Sequence, residues 1–142
     1  MGLTDRLRIR NRRVERLRAL PLFRGCDVAE LRAVDGLATE LEFARETTLT
    51  VQGKRQREVL VLVDGCADVL RDGEKLGELG PGDMVGELEA LAIAPSRVTV
   101  RTTQEARALV MSDSEFRNLL GDHPGIAGGV LGAVARRETL AA

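Results

Sequence analysis

The chain has 142 residues, of which 44% are hydrophobic and 30% charged, and its formal net charge is −1. This length suits one domain with its own core, and no apolar run approaches the roughly 18 residues of a membrane span. The N-terminus carries charges where a signal peptide needs an apolar segment, so we expect a cytoplasmic protein. The single histidine, His123, has no metal-ligand or nucleophile pattern around it, so the sequence does not predict an enzyme.

The N-terminal 18 residues form a basic arm. They hold seven arginines and a net charge of +5, whereas the rest of the chain carries −6. Such an arm can contact nucleic acid or an anionic lipid surface. The interpretation we prefer is an amphipathic helix from Thr4 to Leu20 with its arginines exposed against the acidic body. Its inward-facing residues would be Leu3, Leu7, Val14 and Leu17.

The middle of the chain changes from helical to β-type patterning. A short helix is predicted over residues 28–40, with apolar positions 28, 31, 34 and 37. Residues 41–111 then form short runs rich in β-type residues and punctuated by glycine. Asp-Gly at 64–65 and 72–73 predicts tight hairpins, and Pro-Gly at 81–82 predicts a further turn. Strands this short and evenly spaced predict a sandwich, jelly roll or barrel.

Helical patterns return in residues 112–142. Ser112 and Glu115 form a capping-box signature that begins a helix ending at Gly121. A last helix is predicted within residues 123–138, although its interior glycines each cost about 1 kcal/mol relative to alanine. Its small face must therefore pack closely, either on the β body or on the same helix of a second subunit. That face consists of Gly125, Gly129, Gly132 and Ala133.

The order of elements resembles the cyclic nucleotide-binding domain family, which includes the effector domain of the catabolite activator protein and the regulatory subunits of protein kinase A. The resemblance covers about residues 17–137. It rests on the segments LRALPLFRGCDVAELRAV, VLVLVDGCADVLRDGEKLGELGPGDMVGE and SDSEFRNLL. It implies one domain over residues 1–142 with a mainly β fold: a β-roll or jelly roll (double-stranded β-helix) flanked by N- and C-terminal α-helices.

The family's phosphate-binding cassette reads approximately Gly-Glu-(Leu/Ile)-(Ala/Ser), a few residues, then Pro-Arg-(Ala/Ser)-Ala-(Thr/Ser)-Val. The segment GDMVGELEALAIAPSRVTV, residues 82–100, matches most of this pattern. The resemblance implies that the glutamate accepts a hydrogen bond from a ribose hydroxyl and that the arginine binds the cyclic phosphate. The predicted ligand-binding residues are Gly86, Glu87, Leu88, Glu89, Ser96, Arg97, Val98 and Thr99.

Two positions depart from the family pattern. The arginine of the pattern falls on Ser96, and Arg97 comes one residue late. In an extended segment this shift places Arg97 on the opposite face, together with Arg101. Glu89 stands where the family has Ala or Ser, and a carboxylate there repels an anionic ligand. Together the two changes could weaken binding by several kcal/mol, a factor of order 10² to 10⁴.

The sequence therefore predicts a stand-alone regulatory module whose ligand, if it binds a nucleotide, is cyclic AMP. The alternative is a family member that no longer binds nucleotide and acts through protein interaction. Because only a few residues follow Arg137, we expect no helix-turn-helix and no sequence-specific DNA binding. The predicted partners are a cyclic nucleotide, a separate effector protein and a second copy bound through the C-terminal helix. No metal or cofactor is expected.

Overall fold

A computed structural model describes residues 13–141 of the chain, with side chains described as far as residue 135. The predicted N-terminal helix is present over residues 13–19, which we call α1. The earlier predicted positions, including Leu3 and Leu7, lie outside the described residues. Within α1, Val14 and Leu17 are buried as predicted. No helix of residues 13–141 combines the length and the apolar character that crossing a membrane requires.

Two arginines of α1 pair with acidic residues of the body, whereas Arg18 pairs with Glu15 of the same helix. Arg13 Nε lies 2.7 Å from Asp35 Oδ1, and Arg16 Nη2 lies 3.4 Å from Glu40 Oε1. The Arg13 pair is partly buried and the Arg16 pair is exposed. An exposed pair contributes little stability, but both pairs favour one docking orientation of the helix. This part of the arm therefore adopts the preferred arrangement, an amphipathic helix with its charges against the acidic body.

Within the described range, eight strands and the helices around them form the domain. The strands are β1 (Thr39–Phe43), β2 (Thr48–Thr50), β3 (Glu58–Asp64), β4 (Ala67–Arg71), β5 (Glu74–Leu79), β6 (Met84–Val85), β7 (Thr99–Thr102) and β8 (Ala106–Ser112). The helices that follow α1 are a 3₁₀ turn (Pro21–Phe23), α2 (Val28–Leu37), α3 (Glu87–Ala92), α4 (Asp113–Asp122) and α5 (Pro124–Ala141).

The strands form two antiparallel four-stranded sheets. The order is β1-β8-β3-β6 in the first sheet and β2-β7-β4-β5 in the second. Helices come before the strands, between β6 and β7, and after β8. This confirms the predicted mainly β roll with flanking helices.

The central strands of the first sheet, β3 and β8, are buried on both faces, which explains their unbroken apolar runs. In β3, Val59 and Val61 pack in a cluster with the flanking helices. The alternate residues Leu60 and Leu62 pack in a second cluster between the two sheets. Because successive side chains of a strand point to opposite faces, one strand serves both clusters. The sheet thereby positions the helices on one side and the interior of the roll on the other.

The locally encoded turns and caps are confirmed. Gly65, Gly73 and Gly82 all have positive φ, between 81° and 92°. Ser112 and Glu115 form the predicted capping box at the start of α4. A second capping box, between Asp27 and Glu30 at the start of α2, was not predicted.

Several predicted boundaries and faces were wrong. The helix predicted over 28–40 ends at Leu37, because Ala38 is extended and β1 begins at Thr39. Of the four apolar positions of that helix, Leu31 and Val34 are buried, whereas Val28 and Leu37, at its two ends, are each 39% exposed. Helix α4 continues one residue past Gly121.

The glycines of α5 allow close packing within the chain. A Cβ at Gly129 would overlap the carbonyl oxygen of Leu22, and a Cβ at Gly125 would overlap the carboxylate of Glu30. The Gly125 N–H also donates to Glu30 Oε2 over 2.8 Å. The two glycines thus pack on the N-terminal helical region, whereas Ala133 of the same face belongs to a core cluster that also contains β-strand residues. Gly132 is exposed. The homodimer through α5 remains a prediction, and sedimentation at high protein concentration tests it.

Candidate functional site

The predicted cassette begins with a turn that only glycine fits well. Gly86 follows β6 and has φ +87° and ψ 0°, a left-handed conformation. A Cβ on it would overlap the carbonyl oxygen of Glu58. The left-handed conformation disfavours a side chain, and the close approach of the Gly86 backbone to β3 leaves no room for one. This turn places Glu87 at the first position of α3.

Helix α3 buries two carboxyl groups. Glu87 is 1% exposed and Glu89 4% exposed, whereas Leu88 is half-buried. Charged residues are rarely buried to this extent unless a partner or a ligand compensates them. Glu89 Oε2 has no hydrogen-bond partner among the described residues. The helix therefore buries two carboxyl groups where the family pattern carries one glutamate and a small residue.

The end of α3 is strained. Ile93 caps the helix with φ +51°, and its N–H donates to the carbonyl oxygen of Glu89. A β-branched residue is rarely found in this left-handed region, where glycine is usual. Ile93 is also 58% exposed, so burial of its side chain contributes little to offset the strain. Strain of this kind clusters at ligand-binding and switch regions.

The segment after α3 is fixed by backbone contacts to the loop before β3. Pro95 forms an isolated bridge with Arg55. The Ser96 N–H donates to Lys54 O over 2.8 Å, and Ser96 O accepts from the Gly53 N–H over 2.7 Å. The Ser96 hydroxyl, 3% exposed with its residue, donates to Val98 O over 2.7 Å. Ser96 is therefore held at both backbone groups and at its side chain.

The remaining predicted site residues alternate between the two faces. Val98 is buried, and Arg97 is exposed, as is Arg101. This is the register expected from the one-residue shift, although Arg97 and Val98 lie in a bend and β7 begins only at Thr99. Thr99 is half-buried, and its Oγ1 accepts a hydrogen bond from the Gln52 N–H over 3.0 Å. The structure thus brings Glu87, Glu89 and Ser96 into the interior and leaves Arg97 at the surface.

A charged network that the sequence did not predict joins the cassette to α4. Arg117 Nη1 donates to Ala90 O over 3.0 Å, and Asp113 Oδ2 lies 3.4 Å from both Arg117 and Arg55. Burial acts to raise the pKa of Asp113, but the hydrogen bond from Ser114 N–H and the two guanidinium groups outweigh it and hold the pKa below its usual value. The network connects α3, α4 and the loop that bridges to Pro95.

Comparison with known proteins identifies the family. The sequence profile described as "Cyclic nucleotide-binding domain" matches residues 40–123. This range contains nearly all of the eight strands described here and the whole cassette. The chain belongs to the cyclic nucleotide-binding domain family.

Individual relatives of this domain include regulatory proteins. It is 35% identical over 116 residues to a cAMP-dependent protein kinase regulatory subunit of Mycosarcoma maydis, covering 75% of this chain and 22% of that protein. It is 27% identical over 121 residues to a CRP-like cAMP-activated global transcriptional regulator of Mycobacterium tuberculosis, covering 82% of this chain and 54% of that protein. The chain therefore spans about a fifth of the first relative and about half of the second.

A solved structure with a similar fold is the regulatory subunit of a cAMP-independent protein kinase A from Trypanosoma cruzi, bound to guanosine. The TM-score is 0.75 at 25% identity, and the match covers 85% of this chain and 44% of that one. The predicted resemblance to the kinase and transcription-regulator branches of the family is thus confirmed.

Proposed function

We propose that this chain is a regulatory domain that binds a purine ribonucleoside or its 3′,5′-cyclic phosphate in the cassette of residues 86–100. Family membership supports a ligand of this class. The names of the relatives support it further, because two carry cyclic AMP in their names and the Trypanosoma cruzi structure holds guanosine. A purine joined to ribose is the chemistry that cyclic AMP and guanosine share.

The observation that carries the proposal is the burial of Glu87 directly after the left-handed Gly86. At 1% exposure the carboxyl group is removed from water, and the glycine turn fixes its position against β3. A buried carboxylate is stabilised by hydrogen-bond donors, and ribose hydroxyls are donors of suitable size. The family resemblance assigns this glutamate to the ribose, and the burial of its carboxyl group supports that proposed role.

Cyclic AMP, the ligand predicted from the sequence, also needs a partner for its phosphate. Ser96 occupies the position of the family arginine and is neutral. Arg97 would have to turn inward from its exposed position to supply the charge-assisted contact. Helix α3 has only six residues, so its dipole adds little attraction for an anion. Cyclic AMP binding therefore depends on recruitment of Arg97.

Isothermal titration of the full chain with cyclic AMP, cyclic GMP, adenosine and guanosine tests the proposal. At least one ligand is expected to bind at a micromolar Kd or tighter, and Glu87→Ala is expected to weaken it by about tenfold or more, because a site that hydrogen-bonds a hydroxyl discriminates strongly. Glu74→Ala, which removes an exposed glutamate of β5, serves as the matched control and should bind normally. Loss of cyclic AMP binding in Arg97→Ala would identify the recruited arginine.

Absence of binding by all four ligands would contradict the proposal. If none of the four ligands produces heat or a thermal shift at millimolar concentration, the cassette does not bind a purine riboside. The protein-interaction module, the alternative from the sequence, would then be the function to test.

A further inference from the structure

Building on the proposed function, in which the cassette holds a purine riboside, we infer that this cassette selects the uncharged ribonucleoside over the corresponding cyclic nucleotide. Two buried residues carry the inference. Ser96 removes the cation that a phosphate needs, and Glu89 adds an acceptor that a phosphate cannot satisfy. The two residues act through different chemistry and can be substituted independently.

Ser96 cannot be exchanged for Arg97 by a small local shift. Slipping the segment by one residue would break the hydrogen bonds of the Ser96 N–H to Lys54 O and of the Gly53 N–H to Ser96 O. It would also expose Val98, which is buried against the interior of the roll. The Ser96 hydroxyl hydrogen is already donated to Val98 O. The phosphate position of the family pattern is therefore occupied by a neutral side chain that is fixed in place.

Glu89 adds a buried hydrogen-bond acceptor to the cassette. The residue is only 4% exposed, and its Oε2 accepts no hydrogen bond from the residues of the described range. A buried oxygen of this kind is expected to have a donor partner. Phosphate oxygens of a cyclic nucleotide are acceptors and carry negative charge, so they cannot fill this role. A hydroxyl group can.

The chemistry of the two ligand forms matches this difference. In a 3′,5′-cyclic nucleotide the 3′ and 5′ oxygens are esterified, so the 2′-hydroxyl is the sole remaining hydroxyl donor of the ribose. The nucleoside keeps donors at the 2′, 3′ and 5′ positions and has no charge. Two buried carboxyl groups, Glu87 and Glu89, fit a ligand with several hydroxyl donors. One carboxyl group and an arginine fit the cyclic phosphate.

Competition between matched ligands provides the test. Affinities of the full chain are measured by isothermal titration for guanosine against cyclic GMP and for adenosine against cyclic AMP. The nucleoside of the preferred base is expected to bind about tenfold tighter than its cyclic phosphate, or more, as for other sites built around a ligand hydroxyl. 5′-Deoxyadenosine and 3′-deoxyadenosine are included. Loss of affinity for one of them identifies the ribose hydroxyl that donates a hydrogen bond to Glu89.

Variants separate the two causes. Glu89→Ala is expected to weaken nucleoside binding and to reduce the ratio of the nucleoside affinity to the cyclic nucleotide affinity. Glu89→Ala combined with Ser96→Arg is expected to bind the cyclic nucleotide more tightly than the nucleoside. Glu89→Gln keeps the side-chain size and controls for packing. Circular dichroism melts of each variant verify that it is folded. Glu74→Ala is again expected to behave as the unsubstituted chain.

The possible results separate failure of this inference from failure of the proposed function on which it rests. Tighter binding of the cyclic nucleotide by the unsubstituted chain would overturn the inference and leave the proposed function intact. If folded Glu89→Ala shows the same ratio of nucleoside affinity to cyclic nucleotide affinity as the unsubstituted chain, the inference is also overturned, since Glu89 would then lie outside the binding site. Absence of binding by both ligand forms would overturn the inference and the proposed function together.

Discussion

Arg117 donates a hydrogen bond from Nη1 to the carbonyl oxygen of Ala90 over 3.0 Å and thereby joins α4 to the cassette helix α3. The last carbonyls of a helix lack partners within the helix, and basic side chains can satisfy them. The carbonyl of Ala90 belongs to this group because the Ala94 N–H bonds to Glu89 instead. Asp113 Oδ2 lies 3.4 Å from the same Nη1. Arg117 thus serves as an external cap of α3.

Removal of this cap should destabilise the domain measurably. Arg117→Ala is expected to lower the free energy of unfolding by about 1–2 kcal/mol, because it removes a charge-assisted hydrogen bond and leaves the Ala90 carbonyl without that donor. Arg107→Ala is the matched control, since Arg107 pairs with Asp64 at 3.3 Å on the surface and should change stability by less than about 0.5 kcal/mol. Urea denaturation measures both. Equal effects of the two substitutions would contradict the capping role.

Two adjacent glycines of α5 are expected to respond in opposite directions. A Cβ at Gly128 meets nothing within 4 Å, so Gly128→Ala should raise the free energy of unfolding by up to about 1 kcal/mol through helix propensity. A Cβ at Gly129 overlaps the backbone of Leu22, so Gly129→Ala should lower stability despite the same propensity gain. Chemical denaturation of the two variants checks the sign. Stabilisation by both would mean that α5 does not pack closely on the 3₁₀ turn.

The features predicted correctly from the sequence depend on short-range rules. The capping box of Ser112 and Glu115 and the positive φ of Gly65 and Gly73 follow from residues within three positions of each other. The exposure of Arg97 follows from the alternation of faces along an extended segment. Such rules need no knowledge of what packs against the segment, so one sequence suffices for them.

The features that were missed depend on distant partners. The close approach at Gly129 was predicted, but its partner Leu22 lies far away in the sequence and could not be named. The contact of Arg117 with Ala90 spans 27 positions and leaves no periodic pattern. The exposure of Leu37 depends on where α2 leaves the core. In each case tertiary packing, rather than local propensity, decides the outcome.

The glycine that opens the cassette should tolerate no side chain. Gly86→Ala adds the strain of a left-handed alanine, about 1–2 kcal/mol, to an overlap with the Glu58 carbonyl. Gly73→Ala is the matched control, because Gly73 has φ +81° but open space where a Cβ would lie, so only the strain applies. Thermal melts should show the larger loss for Gly86→Ala, and titration should show weaker ligand binding in that variant alone. Equal losses would mean that the close approach to β3 contributes nothing.

The capping box of α4 should make a pH-dependent contribution to stability. The Ser112 N–H donates to Glu115 Oε1 over 3.0 Å, and the backbone and hydroxyl of Ser112 hold the pKa of Glu115 below its ordinary 4.5. A carboxyl group with a lowered pKa in the folded state stabilises the fold fully above its unfolded pKa. This contribution is lost as the pH falls through the lower folded value.

Comparison with Glu115→Gln isolates that contribution, because Asp113 and the other carboxyl groups are common to both proteins. The unsubstituted chain is expected to melt at a higher temperature than Glu115→Gln by a constant margin between about pH 6 and pH 8, where the carboxylate is fully ionised. Below pH 4.5 the margin should shrink, since a protonated Glu115 becomes equivalent to the amide. Melts at half-unit pH intervals measure it. A margin that is constant or grows in acid would show that the Glu115 carboxylate does not cap α4 as an anion.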